Sequence, residues 1–303
     1  MLLSAAAPEL ERRMTRSLPA PGRAAEEALF LPAGDAPEPP PETPEDEPPP
    51  GAEIRAFTDA PDTLQNNTGF SPDLAALSAE GLSLRLPAEG PQILILHTHG
   101  TEAYLPVAGE TYPATDPYRT TDPAHSVIRV GEVLAGELER QGLRVVHDTS
   151  LNDYPSYAGA YDRSQTAAEQ WLERYPDIAV IIDLHRDAVG SPDVIYKTCA
   201  QVSGMSSAQV MLVVGTGENG LEHPCWQENL KLALALQAAM EENCPTLPRP
   251  IHLVRERYNQ HLTRGSLILE VGTNGNTLSE AERAAVLFAR AAGPVLLSLA
   301  ESE

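Results

Sequence analysis

Residues Ile93-Leu94-Ile95-Leu96-His97-Thr98-His99-Gly100-Thr101-Glu102 decide how this chain is read. Aliphatic side chains in an unbroken run after Gly90-Pro91 describe a short strand covered on both faces, as in a parallel sheet. The run gives way at once to imidazoles, hydroxyls and a carboxylate. In open α/β sheets, chemistry collects where strands end and polar residues leave the core. His99 and Glu102 stand three apart, so one helical turn puts both on the same side. Such an H-x-x-E pair suits zinc, which takes nitrogen and oxygen ligands at about 2.0–2.2 Å. Taken alone, the pattern is equally well a polar loop with two incidental histidines.

Outward from this stretch, strands and helices alternate. Apolar residues at helical spacing run from Asp73 to Leu84, and a long loop with several prolines follows Ala103 as far as Ala124. Ser126 through Gly142 is the clearest helix, with Val127, Val130, Leu134 and Leu138 on one face and Gly142 placed to end it. Leu143-Arg144-Val145-Val146 reads as a strand and Tyr154 to Tyr175 as a helix, strongest from Gln165. Ile178 to Asp187 is a second buried strand that reaches a histidine, His185. Gln209 to Gly215 is a further strand, Trp226 to Asn243 a helix, and Gly265 to Gly272 a last strand ending in the carboxylate of Glu270. Ser279-x-x-Glu282 has the capping-box pattern and opens a helix to Ala292. The alternation predicts a single α/β domain, a mostly parallel twisted sheet with helices on both faces.

That domain is expected over residues 53–303. Ahead of it, residues 1–32 hold at most a brief amphipathic helix, and residues 33–50 are almost entirely Pro, Glu, Asp and small side chains. Proline fixes φ and removes donors while the acids repel one another, so residues 1–52 are expected to be a disordered tail and solvated linker. A net charge of -22 argues against a nucleic-acid partner, which needs clustered Lys and Arg. The three cysteines form no C-x-x-C pair and no disulfide framework. Met1 to Ala7 is too short for a spanning helix and lacks the basic start of a signal peptide.

Three apolar strands thus lead to His97, His99 and Glu102, to His185, and to Glu270. If they are neighbours, His99, Glu102 and His185 can supply the three ligands of a catalytic zinc, leaving one position for water. Glu270 then serves as the general base. His97 is expected to orient a ligand from behind or to replace His99 as one. Asp183 and Asp187 flank His185 and are placed to do the same, with an Arg186–Asp187 ion pair as the equal alternative. Arg186, Tyr258 and Asn259 are candidates to meet substrate, the last two equally well belonging to a structural loop.

These residues reach a known family. His97-Thr98-His99-Gly100-Thr101-Glu102-Ala103-Tyr104, Val130-Gly131, His147-Asp148, Asp153-Tyr154-Pro155-Ser156-Tyr157, Asp183-Leu184-His185-Arg186-Asp187-Ala188, Tyr258-Asn259-Gln260 and Glu270-Val271-Gly272 with Asn276-Thr277 closely resemble the stage II sporulation protein P family, in the same order. The resemblance covers about Asn66 to Leu296. It implies a zinc-dependent hydrolase of peptidoglycan that cuts the amide between N-acetylmuramic acid and L-alanine, with endopeptidase activity on stem cross-links. It implies the phosphorylase/hydrolase-like fold of the zinc amidases and an extracytoplasmic place at the cell wall and membrane face. It also implies a partner, a stage II sporulation protein D-like transglycosylase, during engulfment. In muramoyl amidases the third ligand generally comes from the following helix; here His125 and Ser126 stand at that helix start, so Glu102 is not the only choice. The family usually carries an N-terminal membrane anchor, a pattern that this sequence does not display. Two other readings compete: a zinc carboxypeptidase, which would need Arg186 or Arg257 to grip a terminal carboxylate, and a non-catalytic peptidoglycan-binding module.

Overall fold

The computed structural model of the chain describes residues 53–59, 63–106, 111–116, 118–191 and 193–300. The expected tail and linker, residues 1–52, lie outside the described residues. The domain is built on seven strands: β1 (Leu64–Asn66), β2 (Ile93–Leu96), β3 (Val145–His147), β4 (Val180–Asp187), β5 (Val210–Gly215), β6 (Ile251–Val254) and β7 (Gly265–Thr273). Their spatial order is β1-β6-β5-β7-β4-β2-β3, and every neighbouring pair is parallel except β5 with β7. Beside the sheet, Glu53–Phe57 pairs in parallel with Val194–Thr198. Neither of those strands nor β1 and β6 was expected, because each is short and part-exposed or lacks a continuous apolar run.

Among the described residues, five α-helices accompany the sheet: α1 (Leu74–Glu80), α2 (Val127–Arg140), α3 (Ala160–Arg174), α4 (Trp226–Asn243) and α5 (Leu278–Leu297). Helix α2 forms as its sequence dictates. The Ser126 hydroxyl accepts from the Ile128 N–H and satisfies one free donor, while Val127, Val130, Leu134 and Leu138 form the buried stripe. Helix α5 begins differently from the expected box. Thr277, not Ser279, is the cap: its Oγ1 accepts from Glu280 N at 3.2 Å, and Glu280 Oε2 accepts from Thr277 N at 3.1 Å. Glu282 is drawn away to Arg129 of α2, at 2.7 Å.

Period-two alternation divides each strand between two environments. Ile93 and Ile95 of β2, Val180, Ile182 and Leu184 of β4, Leu212 of β5, and Leu267, Leu269 and Val271 of β7 enter one core with α2, α4, α5 and Leu77 of α1. Each fully buried Leu or Ile contributes roughly 1.5–3 kcal/mol, so this face holds the domain together. The reverse face has one helix. There α3 covers Leu94, Leu96 and Ile181, while Tyr258 lies over Met211, Val213, Val254 and Ile268. Val146 of β3 joins the α3 side, and on β4 and β7 this face turns polar at Asp183, His185 and Glu270.

Candidate active site

Strand β4 carries Asp183, His185 and Asp187 on the polar face, between aliphatic residues turned to the other. In the ladder, His185 is the register partner of Glu270 on β7, so their side chains share a face. Glu270 is not the end of its strand, as expected, but lies within it; β7 continues to Thr273. Strand β2 ends at Leu96, and a tight turn follows in which Glu102 N donates to His99 O at 3.1 Å. That single turn carries both side chains of the H-x-x-E pair towards β4. The His99 and His185 rings meet edge to face at 5.2 Å between centroids, and Glu102 Oε2 stands 3.5 Å from His185 Nδ1. Two imidazoles and a carboxylate, from one turn and one strand, are therefore brought together, with Glu270 alongside.

The carboxylates around His185 differ in what holds them. Asp183 Oδ1 accepts from Thr98 N and Oδ2 from Thr98 Oγ1, and Oδ1 lies 2.9 Å from His185 Nε2. Burial alone would depress the His185 pKa; Asp183 and Glu102 outweigh it and hold the imidazolium well above its ordinary range. Burial would likewise raise Glu102, but His185 and Arg186 keep it well below the usual carboxylate range. Glu270 takes the opposite course. Burial pushes it up to about 8 against the pull of His185, and the negative charges of Asp187 and Glu102 add to the rise. Its Oε2 is sealed from solvent without a hydrogen-bond partner, as is His99 Nδ1. Burial lowers His99 to about 4.

His97 does not join this group. Regular alternation ends with the strand, and its ring turns to the opposite face, where Nδ1 donates to Leu184 O at 2.9 Å and Nε2 meets His147 Nε2 at 2.8 Å. Gly131 of α2 makes the room: a Cβ there would stand 2.7 Å from both Nε2 atoms. Glycine costs the helix about 1 kcal/mol relative to Ala, and the close approach of two imidazoles is its reason. Asp187 pairs with Arg249 at 2.8 Å rather than with Arg186. Arg186 is buried and spent on carbonyls, donating from Nε to Ala103 O and from Nη2 to Tyr118 O. It braces the loop, which leaves the carboxypeptidase reading with Arg257 alone as its grip. Asn259 is also committed inward, to Tyr161 O and Ser164 Oγ, both at 2.9 Å. Tyr258 has φ +52°, a backbone state that costs a bulky residue energy and concentrates at working sites; its ring packs against Tyr161 at 5.2 Å. His125, the alternative ligand at the helix start, is paired with Asp122 at 2.9 Å.

The fold adds residues that spacing did not reveal. Asp153 accepts from Thr101 N at 3.1 Å and Oγ1 at 2.5 Å, and its Oδ2 lies 4.0 Å from His99 Nδ1. Arg119 bridges it to the turn, 2.6 Å from Asp153 Oδ2 and 3.6 Å from Glu102 Oε1. Tyr157 stacks on His99 at 4.5 Å, and Tyr161 meets the same ring edge-on at 5.5 Å. Asp153 and Tyr157 sat in a quoted motif, but no local rule tied them to a histidine more than fifty residues earlier. Among the described residues, no three His, Cys, Asp or Glu side chains already converge as a metal-binding group. No helix of the described residues is long and apolar enough to cross a membrane.

Known proteins resemble this chain. The family model described as Stage II sporulation protein P matches residues 33–293. The chain is 34% identical over 205 residues to Stage II sporulation protein P of Bacillus subtilis (strain 168), covering 64% of this chain and 48% of that protein. It thus spans about half the length of the curated relative it matches. Among solved structures, N-acetylmuramoyl-L-alanine amidase AmiC2 of Nostoc punctiforme aligns with a TM-score of 0.37 and 14% identity, over 70% of this chain and 98% of that one. The amidase Ami1 from Mycobacterium abscessus aligns with a TM-score of 0.41 and 11% identity, over 70% and 99% respectively. The chain belongs to the stage II sporulation protein P family.

Proposed function

We propose that this domain is a peptidoglycan hydrolase that cuts the amide between N-acetylmuramic acid and L-alanine, with zinc held by His99, Glu102 and His185 and with Glu270 as general base. Family membership supports the substrate class. The observation that carries the chemistry is the meeting of His99, Glu102 and His185 beside a carboxylate that has no partner of its own.

The donor set fits the metal. Two imidazole nitrogens and one carboxylate are the ligand types of catalytic zinc, and such a site keeps one position open. His99 Nδ1 is buried without a hydrogen bond, a cost that a ligand would remove. Asp183 faces His185 Nε2, so a proton kept there leaves Nδ1, on the Glu102 side, with a free lone pair. When bound, zinc supplies Lewis acidity, polarising a carbonyl and making water acidic enough to lose a proton near neutral pH. The remaining work is done by the chain. Glu270, pushed up to about 8 mainly by burial, is matched to taking a proton from water and returning it to the leaving amine. Arg119 and Thr101 hold Asp153 and keep the turn bearing Glu102 in place.

Three finer parts of this reading rest on the family resemblance: a stage II sporulation protein D-like transglycosylase as partner, work outside the cytoplasm at the cell wall and membrane face during engulfment, and stem cross-links as a second substrate. Digestion of purified sacculi with and without chelator, with the released ends read by mass spectrometry, tests the reading. New L-alanine amino termini that vanish with chelator and return with zinc are expected. Release that is indifferent to chelator, or confined to other bonds, overturns it.

A further inference from the structure

Most large apolar side chains are buried here, yet Tyr157 is 60% exposed and Tyr154, three residues earlier, 50%. Both lie on the segment that leads to α3, and Tyr157 is the one that touches the candidate site. Tyr157 is not loose. Its ring lies nearly flat on His99, 13° from parallel at 4.5 Å, and the Arg119 guanidinium stands 4.9 Å from its centroid. Even with His99 stacked on one face and the Arg119 guanidinium over the ring, the residue stays 60% exposed, so much of it meets solvent. The stack continues inward: Tyr161 meets the edge of His99 at 5.5 Å and Tyr258 packs on Tyr161 at 5.2 Å. An aromatic wall therefore runs from solvent to the proposed reacting centre, and His99 is part of it.

We infer that Tyr157 is a stacking platform for a sugar ring of the glycan strand and sets where along the strand the scissile amide is presented. The inference rests on the function proposed above and adds the residue that would recognise the carbohydrate. An aromatic face carries partial negative charge, and the axial C–H groups of a pyranose, polarised by neighbouring oxygens, carry the opposite sign. A neutral, rigid ring thus matches a rigid phenol that is already ordered before binding, so little side-chain entropy is lost. A stem peptide would favour an apolar pocket or charged partners; Arg119, the nearest cation, is already spent on Asp153 and Glu102. Tyr157 is assigned as a positioning residue and takes no part in bond making.

The test uses the full chain carrying Glu270→Gln, loaded with zinc, so that binding is not followed by cutting. Co-sedimentation with sacculi is measured for this parent and for Tyr157→Ala and Tyr157→Trp in the same background. Soluble N-acetylglucosamine oligosaccharide and free stem peptide are the competitors, and zinc content is determined for each protein. Retention is expected to weaken about tenfold in Tyr157→Ala, to return in Tyr157→Trp, and to be competed by the oligosaccharide, with zinc unchanged. With Glu270 restored, the Tyr157→Ala loss should fall on KM rather than kcat. Unchanged retention, a loss of zinc, or competition by the peptide alone overturns the assignment. The function proposed above fails separately, if the wild-type chain does not cut sacculi.

Discussion

The two faces of the sheet are made by the same strands and do different work. On β4, Ile182 and Leu184 enter a core closed by α2, α4 and α5, while Asp183 and His185 face a side covered by α3, the Tyr258 loop and the turn at Gly100 with the loops folded over it. The closed face tolerates an imidazole only as a neutral group: His97, driven down to about 3 by burial and by His147, keeps to one carbonyl and one other ring. On the other, polar face the balance differs from one ring to the next: Asp183 and Glu102 more than offset the cost of burial at His185 and hold its pKa up, while burial still lowers His99 to about 4. Stability is concentrated on one side and reactivity on the other. A one-residue step along a strand moves a substitution from the first class to the second.

The sharpest way to break that contrast is Glu270→Gln. The amide keeps the size of the carboxylate but cannot take a proton from water, so hydrolysis of sacculi should fall by about 10²–10⁴-fold. The melting temperature should hold or rise, since a buried acid that burial, Asp187 and Glu102 all disfavour as an anion is replaced by a neutral amide. A marked fall in melting temperature would mean that the polar face carries stability after all.

Neighbouring residues on β4 sharpen the comparison. Leu184→Ala should cost about 2–5 kcal/mol in chemical denaturation, because a fully buried side chain leaves a cavity. His185→Ala, one position on, should cost less in metal-free protein while abolishing activity. Equal costs at both positions would erase the distinction between the faces.

A smaller effect is expected with pH. His97 binds a proton near its ordinary 6.5 in the unfolded chain but only near 3 in the fold, so between these values the unfolded state holds more protons. Its contribution is complete above about pH 6.5 and is lost as the pH falls towards 3. Urea unfolding at pH 7 and pH 5 should show the fold weaker at the lower value, and His97→Asn should narrow the gap between the two. An undiminished gap would place the acid sensitivity elsewhere.

Much of this was legible in the chain, and the parts that were not share a cause. The runs Ile93–Leu96 and Val180–Asp187, the stripe of α2 and the span of α4 are local patterns, and the fold follows them closely. The meeting of His99 with His185 was an inference from strand ends, and β2 lying directly beside β4 makes it real. What failed depended on distant atoms. His97 was expected to orient a ligand or to replace His99 as one, whereas Gly131 opens a socket for its ring on the other face. Arg186 had the right chemistry for substrate but is claimed by the carbonyls of Ala103 and Tyr118, which no spacing rule foretells. Asp153, Arg119 and Tyr157 reach the site only because two loops fold over the turn at Gly100.

The central claim is that His99, Glu102 and His185 on the polar face hold zinc while Glu270 beside them does not. Zinc per chain, measured in purified wild-type, His99→Ala, His185→Ala and Glu270→Gln proteins after equal dialysis, tests it most directly. The account predicts one zinc in the wild type and in Glu270→Gln, and little in either histidine variant. Full zinc retained by both histidine variants, or zinc lost from Glu270→Gln, would contradict it.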